Sequence, residues 1–460
     1  MKQKGKVLFL WEEFIVEKQQ NFNQTIKKNF FTNVSLGMLS MMGTSLFILA
    51  DTVFIANGVG ADGIAALNIV LPMVNIFNGL GWMLGVGGAT LYSIEKGRRN
   101  IEKGNKQFTF TILLSLVIAG LFTLGTLLFS DTILNFLGAS GHIFGLSKSY
   151  YSVIMLFTPL FILNNVYITF LRNDHNPKLA MAALLIGGLM NIILDYIFIF
   201  PLNMGMRGAA LATAVSPAVS LLICSLHLKN KERKLKFAPV SLRWENITRI
   251  FSIGFPSFLN EFSSAVVMFL FNIVLLRLIG NIGVSAYAII ANMNIIAIAL
   301  FTGVGQGFQP LVSGFHGANQ REEMKKVLKY ALITTGVLGI AFFMIAILFA
   351  EPIISVFNNE ANQQLVQLAV PGLILYFSSF LFTGTNFTAI YYMSAVERPR
   401  PSLIISLLRG LLLILPVLFG MTNWLGVTGV WLTMLVVELL TLGVSVYALW
   451  IYQKRYLQTN

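Results

Sequence analysis

Twelve stretches of mostly apolar residues recur along this 460-residue chain, near 33–57, 64–94, 108–129, 149–171, 179–200, 208–228, 250–276, 284–314, 328–350, 367–394, 402–420 and 428–452. Each is about as long as the roughly 20 residues a helix needs to cross a bilayer. The pattern predicts an all-α membrane protein of twelve transmembrane helices. The chain is 56% hydrophobic and only 11% charged, which fits an integral membrane protein and not a soluble enzyme. The second, eighth and tenth stretches exceed the usual span, which predicts tilt or bending.

The charge distribution predicts topology. Of the 32 Lys and Arg, all but Lys148, Arg207, Arg277 and Arg409 fall in the segments 1–32, 95–107, 172–178, 229–249, 315–329, 395–401 and 453–460. Positive residues gather on the cytoplasmic side of membrane proteins, so a multi-pass membrane protein with both termini in the cytoplasm is expected. The net charge of +13 is then a topology signal and not a nucleic-acid signal. The apolar run VLFLW near the N-terminus is too short for a signal peptide and is followed by Glu12 and Glu13, so no cleaved signal is expected. A single cysteine, Cys224, excludes a disulfide within the chain, and the four histidines show no metal spacing.

The chain repeats itself. A shift of 220 residues aligns Gly60, Gly63, Ala66, Gly85, Gly87 and Gly97 with Gly280, Gly283, Ala286, Gly305, Gly307 and Gly317. A shift of 221 aligns Gly205, Gly208 and Leu211 with Gly426, Gly429 and Leu432. Small residues recur in membrane helices because they let backbones approach, but one gap-free register favours a true repeat. Six helices per half give both halves the same orientation, so the repeat is parallel, about a pseudo-two-fold axis along the membrane normal. The expected organisation is an N-terminal segment 1–32, an N-lobe 33–228, a cytoplasmic linker 229–249, a C-lobe 250–452 and a tail 453–460. Two equal bundles imply a central cleft and a rocking motion, as in transporters.

Four of the nineteen acidic residues lie inside spans: Asp51, Asp195, Glu261 and Glu438. Arg409 is the one comparably placed base, so the interior is net negative and favours a cationic or proton-carrying cargo. Ionisable residues at such depth are costly and are functional candidates by default. Asp51 lies six residues from the outer end of its helix and Asp195 five residues before Pro201. At a rise of about 1.5 Å per residue both sit about 8–9 Å in, and Thr213 on the next helix reaches the same level. Asn191 shares a helix face with Asp195 through their four-residue spacing. Asp51, Asn191, Asp195 and Thr213 form an all-oxygen cluster that could coordinate Na+ or hold a proton. Two neighbouring carboxylates resist carrying two negative charges, which suits a proton carrier. The alternative is that each aspartate merely hydrogen-bonds a neighbouring helix.

Glu261 and Glu438 fall near the midplane. Both are candidates for cargo recognition or for a second protonation site, and Glu438 could instead form a structural pair with Arg409. The halves differ in chemistry, since Phe271 and Pro416 stand where Asp51 and Asp195 would repeat. Asparagines are frequent within spans, among them Asn78, Asn164, Asn165 and Asn386. No P-loop, HExxH or GxSxG pattern is found, and LGVGGA and GVGQGF lie in apolar helices without a preceding strand, so close helix packing explains them. No enzymatic activity, catalytic residue or organic cofactor is expected. With no ATP site, active transport must draw on an ion gradient or on another subunit.

The segments ADTVFIANGVG, NPKLAMAALLIGGLMNIILDYIFIF and GMRGAALATAVS, on this two-bundle plan, resemble the multidrug and toxic compound extrusion (MATE) transporters, in their bacterial DinF/MepA-like branch. The resemblance covers essentially the whole chain. It implies antiport of bulky, often cationic compounds against H+ or Na+. It also implies N-lobe coupling through an Asp on the first helix, an Asn and an Asp on the fifth and a Thr on the sixth. Those positions correspond to Asp51, Asn191, Asp195 and Thr213. Other branches use carboxylates on the seventh and tenth helices. Here the seventh carries Glu261 at a different spacing from Gly254-Phe255-Pro256, and the tenth carries no acid within its span, which puts a C-lobe Na+ site of that kind in doubt.

The function expected is an ion-coupled multidrug antiporter exporting small organic cations, working as a monomer, with membrane lipid around it and no nucleic-acid partner. A lipid-linked precursor flippase of the same superfamily is the alternative; it would need several cavity bases, and only Arg409 is near. A channel or structural membrane protein fits the repeat and the asymmetric acids poorly.

Overall fold

The computed structural model describes residues 2–240, 244–358 and 362–457, with side chains from Asn23 onward except that of Leu457. Parts of the expected linker (241–243) and tail (458–460), and the side chains of the VLFLW run, lie outside the described residues.

The first half contains α1 (Lys2–Gly58), α2 (Ala61–Gly97), α3 (Ile101–Leu128), the short α4 (Ser130–Phe136), α5 (Gly141–Asn173), α6 (Pro177–Ile199) and α7 (Gly205–Ser225). The second contains α8 (Trp244–Ile279), α9 (Asn281–Gly317), α10 (Arg321–Phe357), α11 (Gln363–Phe377), α12 (Phe380–Ala395), α13 (Pro399–Leu407), α14 (Ile414–Leu425) and α15 (Val427–Tyr452). Among the described residues eleven helices are long and apolar enough to cross a membrane, and α11 with α12, bent by 42°, passes the same test as a pair and makes twelve if counted as one span. That break falls in the tenth expected stretch. α13 and α14 form one span joined through a π-helical turn at Leu408–Leu412, which carries Arg409.

Helix starts follow local chemistry. The Asn100 side chain accepts from the Lys103 backbone at the start of α3. Asn176 does the same for Leu179 in α6, where Pro177 occupies the first turn. An Asn cap satisfies an otherwise orphaned amide, and proline tolerates the first turn because it has no N–H to lose.

Two boundaries differ from the sequence expectation. α1 does not begin after a separate segment 1–32 but runs continuously from Lys2, with an apolar span from Asn23. Lys27 and Lys28 interrupt the apolar run, yet Ile26, Phe30 and Val34 form a buried stripe at helical spacing. Arg172 was expected in a basic loop, but it is the penultimate residue of α5 and only 5% exposed. Arg409 is therefore not the one buried base.

The backbone carries the repeat. Gly60 and Gly280, which precede α2 and α9, have φ of 91° and 70°, and Gly205 and Gly426 have 53° and 59°. Arg99 and Asn319, also 220 apart, both take left-handed φ, at 63° and 57°. Conformations with positive φ are disfavoured for most residues, so their recurrence at matching positions marks matching turns.

The halves form two bundles that exchange their opening turns. Ile26, Phe30 and Val34 of α1 join the apolar core of the second half, and Ile250 and Ile253 of α8 join the core of the first. Glycines permit the closest approaches between lobes. A Cβ on Gly97 would strike the Gly314 carbonyl, and one on Gly317 would strike the Ile94 carbonyl. These contacts are the same pair related by the 220-residue shift. Gly87 sits against Ile250, Gly254 against Met83, and Gly37 and Gly307 bring α1 onto α9. All these approaches lie in the halves of the helices nearest the basic connectors, called here the basic end.

The inter-lobe connector is held to the N-lobe. Asp174, between α5 and α6, accepts from Tyr92 (2.7 Å), Lys96 (3.0 Å) and His227 (2.9 Å), and from the backbone amides of Lys234 and Leu235. Asn105 and Thr109 accept from the amides of Lys236 and Ala238. Burial opposes ionisation of Asp174, but the His227 hydrogen bond, the Lys96 charge and the Tyr92 hydroxyl outweigh it and hold the carboxyl well below the usual carboxylate range.

Candidate functional site

The N-lobe cluster forms where α1, α6 and α7 meet, and a glycine pair lets them meet. A Cβ on Gly188 would run into the Phe47 ring of α1, and one on Gly187 would lie 2.9 Å from the Ser216 carbonyl of α7. Asp51 is one turn beyond Phe47, and Asn191 and Asp195 are one and two turns beyond Gly188 on the same face. The approach that the glycines permit therefore points these side chains at one another.

Asp195 is fully buried, Asn191 is 6% exposed and Asp51 is 9% exposed. The carboxyls of Asp51 and Asp195 lie within interaction range of each other. The Asn191 amide donates to the Thr213 hydroxyl at 3.5 Å, and that hydroxyl donates to the Ala209 carbonyl at 3.0 Å. The structure thus brings together all four residues expected from the sequence. It adds Tyr150 of α5, which is 3% exposed and lies near Thr213 and both carboxylates. Nothing in the run KSYYS distinguished Tyr150 from its neighbour.

Both carboxyl oxygens of Asp195 and one of Asp51 are buried without a hydrogen-bond partner among the described residues. A buried carboxyl without a partner is costly unless a proton or a cation joins it. The donor set, two carboxyls with an amide oxygen and a hydroxyl, suits a hard cation such as Na+ as well as a proton. These residues therefore suit either ion.

The C-lobe acids have opposite surroundings. Glu438 is fully buried and saturated: Arg409 donates to one oxygen at 2.6 and 3.0 Å, and Asn386 donates to the other at 2.6 Å. Ser445 donates to Asn386 at 2.7 Å, and the Arg409 guanidinium lies 4.3 Å from the Phe387 ring centre. Glu261 is half-buried on the inter-lobe face of α8, with its Cβ 3.4 Å from where a Cβ on Gly79 of α2 would stand. It makes no ion pair among the described residues. Beside it, Phe255, Phe258 and Phe262 stack along one helix face, with centroids 5.6 and 6.1 Å apart.

Polar contacts cross between the lobes towards the basic end. Gln309 of α9 donates to Thr90 of α2 at 3.1 Å, and the buried Arg172 of α5 donates to Gln306. Arg98 lies 3.9 Å from Glu397, which also pairs with Arg249. The segment GVGQGF, read from the sequence only as close packing, holds Gln306 between packing glycines, and a polar residue in such a run is the signal that could have pointed to this contact.

Residues 37–197 and 256–419 match the MatE family, one block in each half of the chain. The chain belongs to the MatE family. Among curated proteins it is similar to the multidrug export protein MepA of Staphylococcus saprophyticus, with 29% identity over 380 residues covering 82% of each chain. It is also similar to MepA of Staphylococcus aureus, with 29% identity over 405 residues covering 86% of this chain and 88% of the relative. Among solved structures it superposes on an outward-facing multidrug resistance MATE transporter of the MOP superfamily with a TM-score of 0.88 at 22% identity, covering 93% of this chain and 96% of that one. A MOP superfamily transporter from Pyrococcus furiosus gives a TM-score of 0.88 at 22% identity, covering 95% of this chain and 97% of that one. The twelve spans in two bundles are thus the fold of MatE transporters, a non-enzymatic family.

Proposed function

We propose that this MatE protein is a multidrug exporter that expels bulky organic cations in exchange for H+ or Na+ by alternating access. The observation that carries the coupling claim is the pair Asp51–Asp195, buried at a junction of three helices with three of its four oxygens without a hydrogen-bond partner among the described residues. Similarity to MepA supports export of several compounds. Half-buried Glu261 beside the Phe255–Phe258–Phe262 stack supports a cationic cargo, since aromatic faces and a carboxylate together attract an organic cation.

In this reading the basic end faces the cytoplasm. The glycine contacts and the Thr90–Gln309, Arg172–Gln306 and Arg98–Glu397 pairs seal it, leaving the state that releases cargo outside. An ion taken up by Asp51 and Asp195 drives the cycle only by binding one lobe arrangement better than the other. Asn191 and Thr213 orient the pair, and their hydrogen bond leaves the Asn191 oxygen available to an ion. Glu438 is read as structural, because Arg409 and Asn386 already satisfy it. That pairing also weakens the flippase alternative, since Arg409 is not left to meet a pyrophosphate.

Ethidium efflux from cells expressing the wild type, Asp51→Asn or Asp195→Asn tests the reading. Efflux is expected to fall to the empty-vector level in both variants at unchanged membrane abundance. Wild-type efflux by both would refute the coupling assignment.

A further inference from the structure

At the basic end, well away from the ion cluster, a cavity of about 450 Å³ opens between the α12–α13 connector and the last turns of α15. Arg398, Arg400 and Arg455 line it, with Tyr452 and Tyr456. Glu397, the acid among the described lining residues, pairs with Arg249 and lies 3.9 Å from Arg98. Arg398 and Arg400 therefore make this wall positive.

It is also built. The Arg398 guanidinium lies 4.1 Å from the Tyr456 ring centre, and Tyr456 stacks on buried Tyr452 at 5.3 Å, so aromatic packing fixes the Arg398 plane and leaves its edge to hydrogen-bond. The start of α13 adds the positive end of a helix dipole to the same wall.

The depth of the cavity is marked independently. On the outer face of α15, exposed Tyr447 and Trp450 stack at 6.3 Å, and Lys454 lies 5.1 Å from the Trp450 ring centre. Exposed Tyr and Trp beside a Lys mark the level of lipid headgroups. The cavity wall on this side runs from Ala448 to Tyr456 and so spans the headgroup level.

We propose that this cavity binds the phosphate of an anionic phospholipid. Arginine forks match phosphate oxygens in pairs, and basic pockets at this depth recognise acidic headgroups. The ligand chemistry is a phosphate anion; its source is the surrounding leaflet, because the aromatic belt sets the site at headgroup level.

Native mass spectrometry of the purified full chain, equilibrated with equal cardiolipin and phosphatidylcholine, tests the proposal. Wild-type protein is expected to retain cardiolipin about tenfold better than the R398Q/R400Q/R455Q variant. The K229Q/K231Q/K236Q variant loses as much charge from the connector at the same end and should retain cardiolipin as the wild type does. R400Q alone changes one exposed arginine, and about a two- to threefold loss is expected from it, which keeps the test open if the triple variant does not fold. Millimolar inorganic phosphate should not displace the lipid. Equal retention by wild type and R400Q, an equal loss in the connector variant, or displacement by inorganic phosphate would each overturn the proposal.

Discussion

Gly188 on α6 stands directly against the ring of Phe47 on α1, so that any Cβ at position 188 would overlap the aromatic carbons. Asp51 and Asp195 meet because of this approach, one and two turns further along the same faces. Gly188→Ala is expected to cost about 1–3 kcal/mol through overpacking and to reduce efflux by parting the carboxyls. Adding Phe47→Ala should recover part of both, because it removes the ring that collides. Thermal unfolding and efflux of the single and double variants measure the coupling; purely additive losses would count against this explanation.

Glu438 and Arg409 test the distinction between a structural and a functional acid. Arg409→Met leaves a fully buried carboxylate with only Asn386 for support, and about 3–5 kcal/mol of destabilisation is expected. Arg409→Met with Glu438→Gln should be far milder, because no lone charge remains. Unfolding midpoints of the purified variants decide; retained ion coupling in the double variant is expected as well.

The Asp174 clasp predicts a pH dependence. Its carboxyl ionises more readily when folded than when unfolded, so its contribution is complete above the ordinary carboxylate range and is lost as pH falls through and below that range. The connector should therefore resist trypsin equally across neutral and mildly acidic pH. Asp174→Asn should expose Lys231, Arg233 and Lys234 to cleavage at neutral pH. Unchanged cleavage would show that Asn105 and Thr109 hold the connector alone.

The seal at the basic end rests on backbone-to-backbone contact that only glycine allows. Gly317→Val would force the Ile94 carbonyl away and is expected to favour opening of this end. In a background with Cys224→Ala, a cysteine at Ser313, which is fully buried, should then react with a membrane-impermeant thiol reagent applied from the basic side. Unaltered protection would contradict the assigned seal.

The spans, the repeat and the meeting of Asp51, Asn191, Asp195 and Thr213 were legible because each is written in local spacing. Apolar runs give the spans, a fixed register gives the repeat, and helical periodicity puts Asn191 and Asp195 on one face. What stayed hidden depends on contacts between distant elements. Arg172 reads as a loop residue until Gln306 of the other lobe is beside it. Tyr150 has no local pattern, and the Asp174 clasp joins residues from four separate segments. Arg409 on the preceding span already set Glu438 apart from Glu261 in the sequence, but only the hydrogen bonds from Arg409 and Asn386 decide that the pair forms.

The most direct test of the coupling claim is ethidium transport by purified protein in liposomes, driven by a pH gradient alone and then by a Na+ gradient alone, in wild type and Asp195→Asn. Wild-type transport should follow one of the gradients, and Asp195→Asn should lose that dependence. Transport that ignores both gradients, or that follows a gradient equally well without the Asp195 carboxylate, would contradict the account.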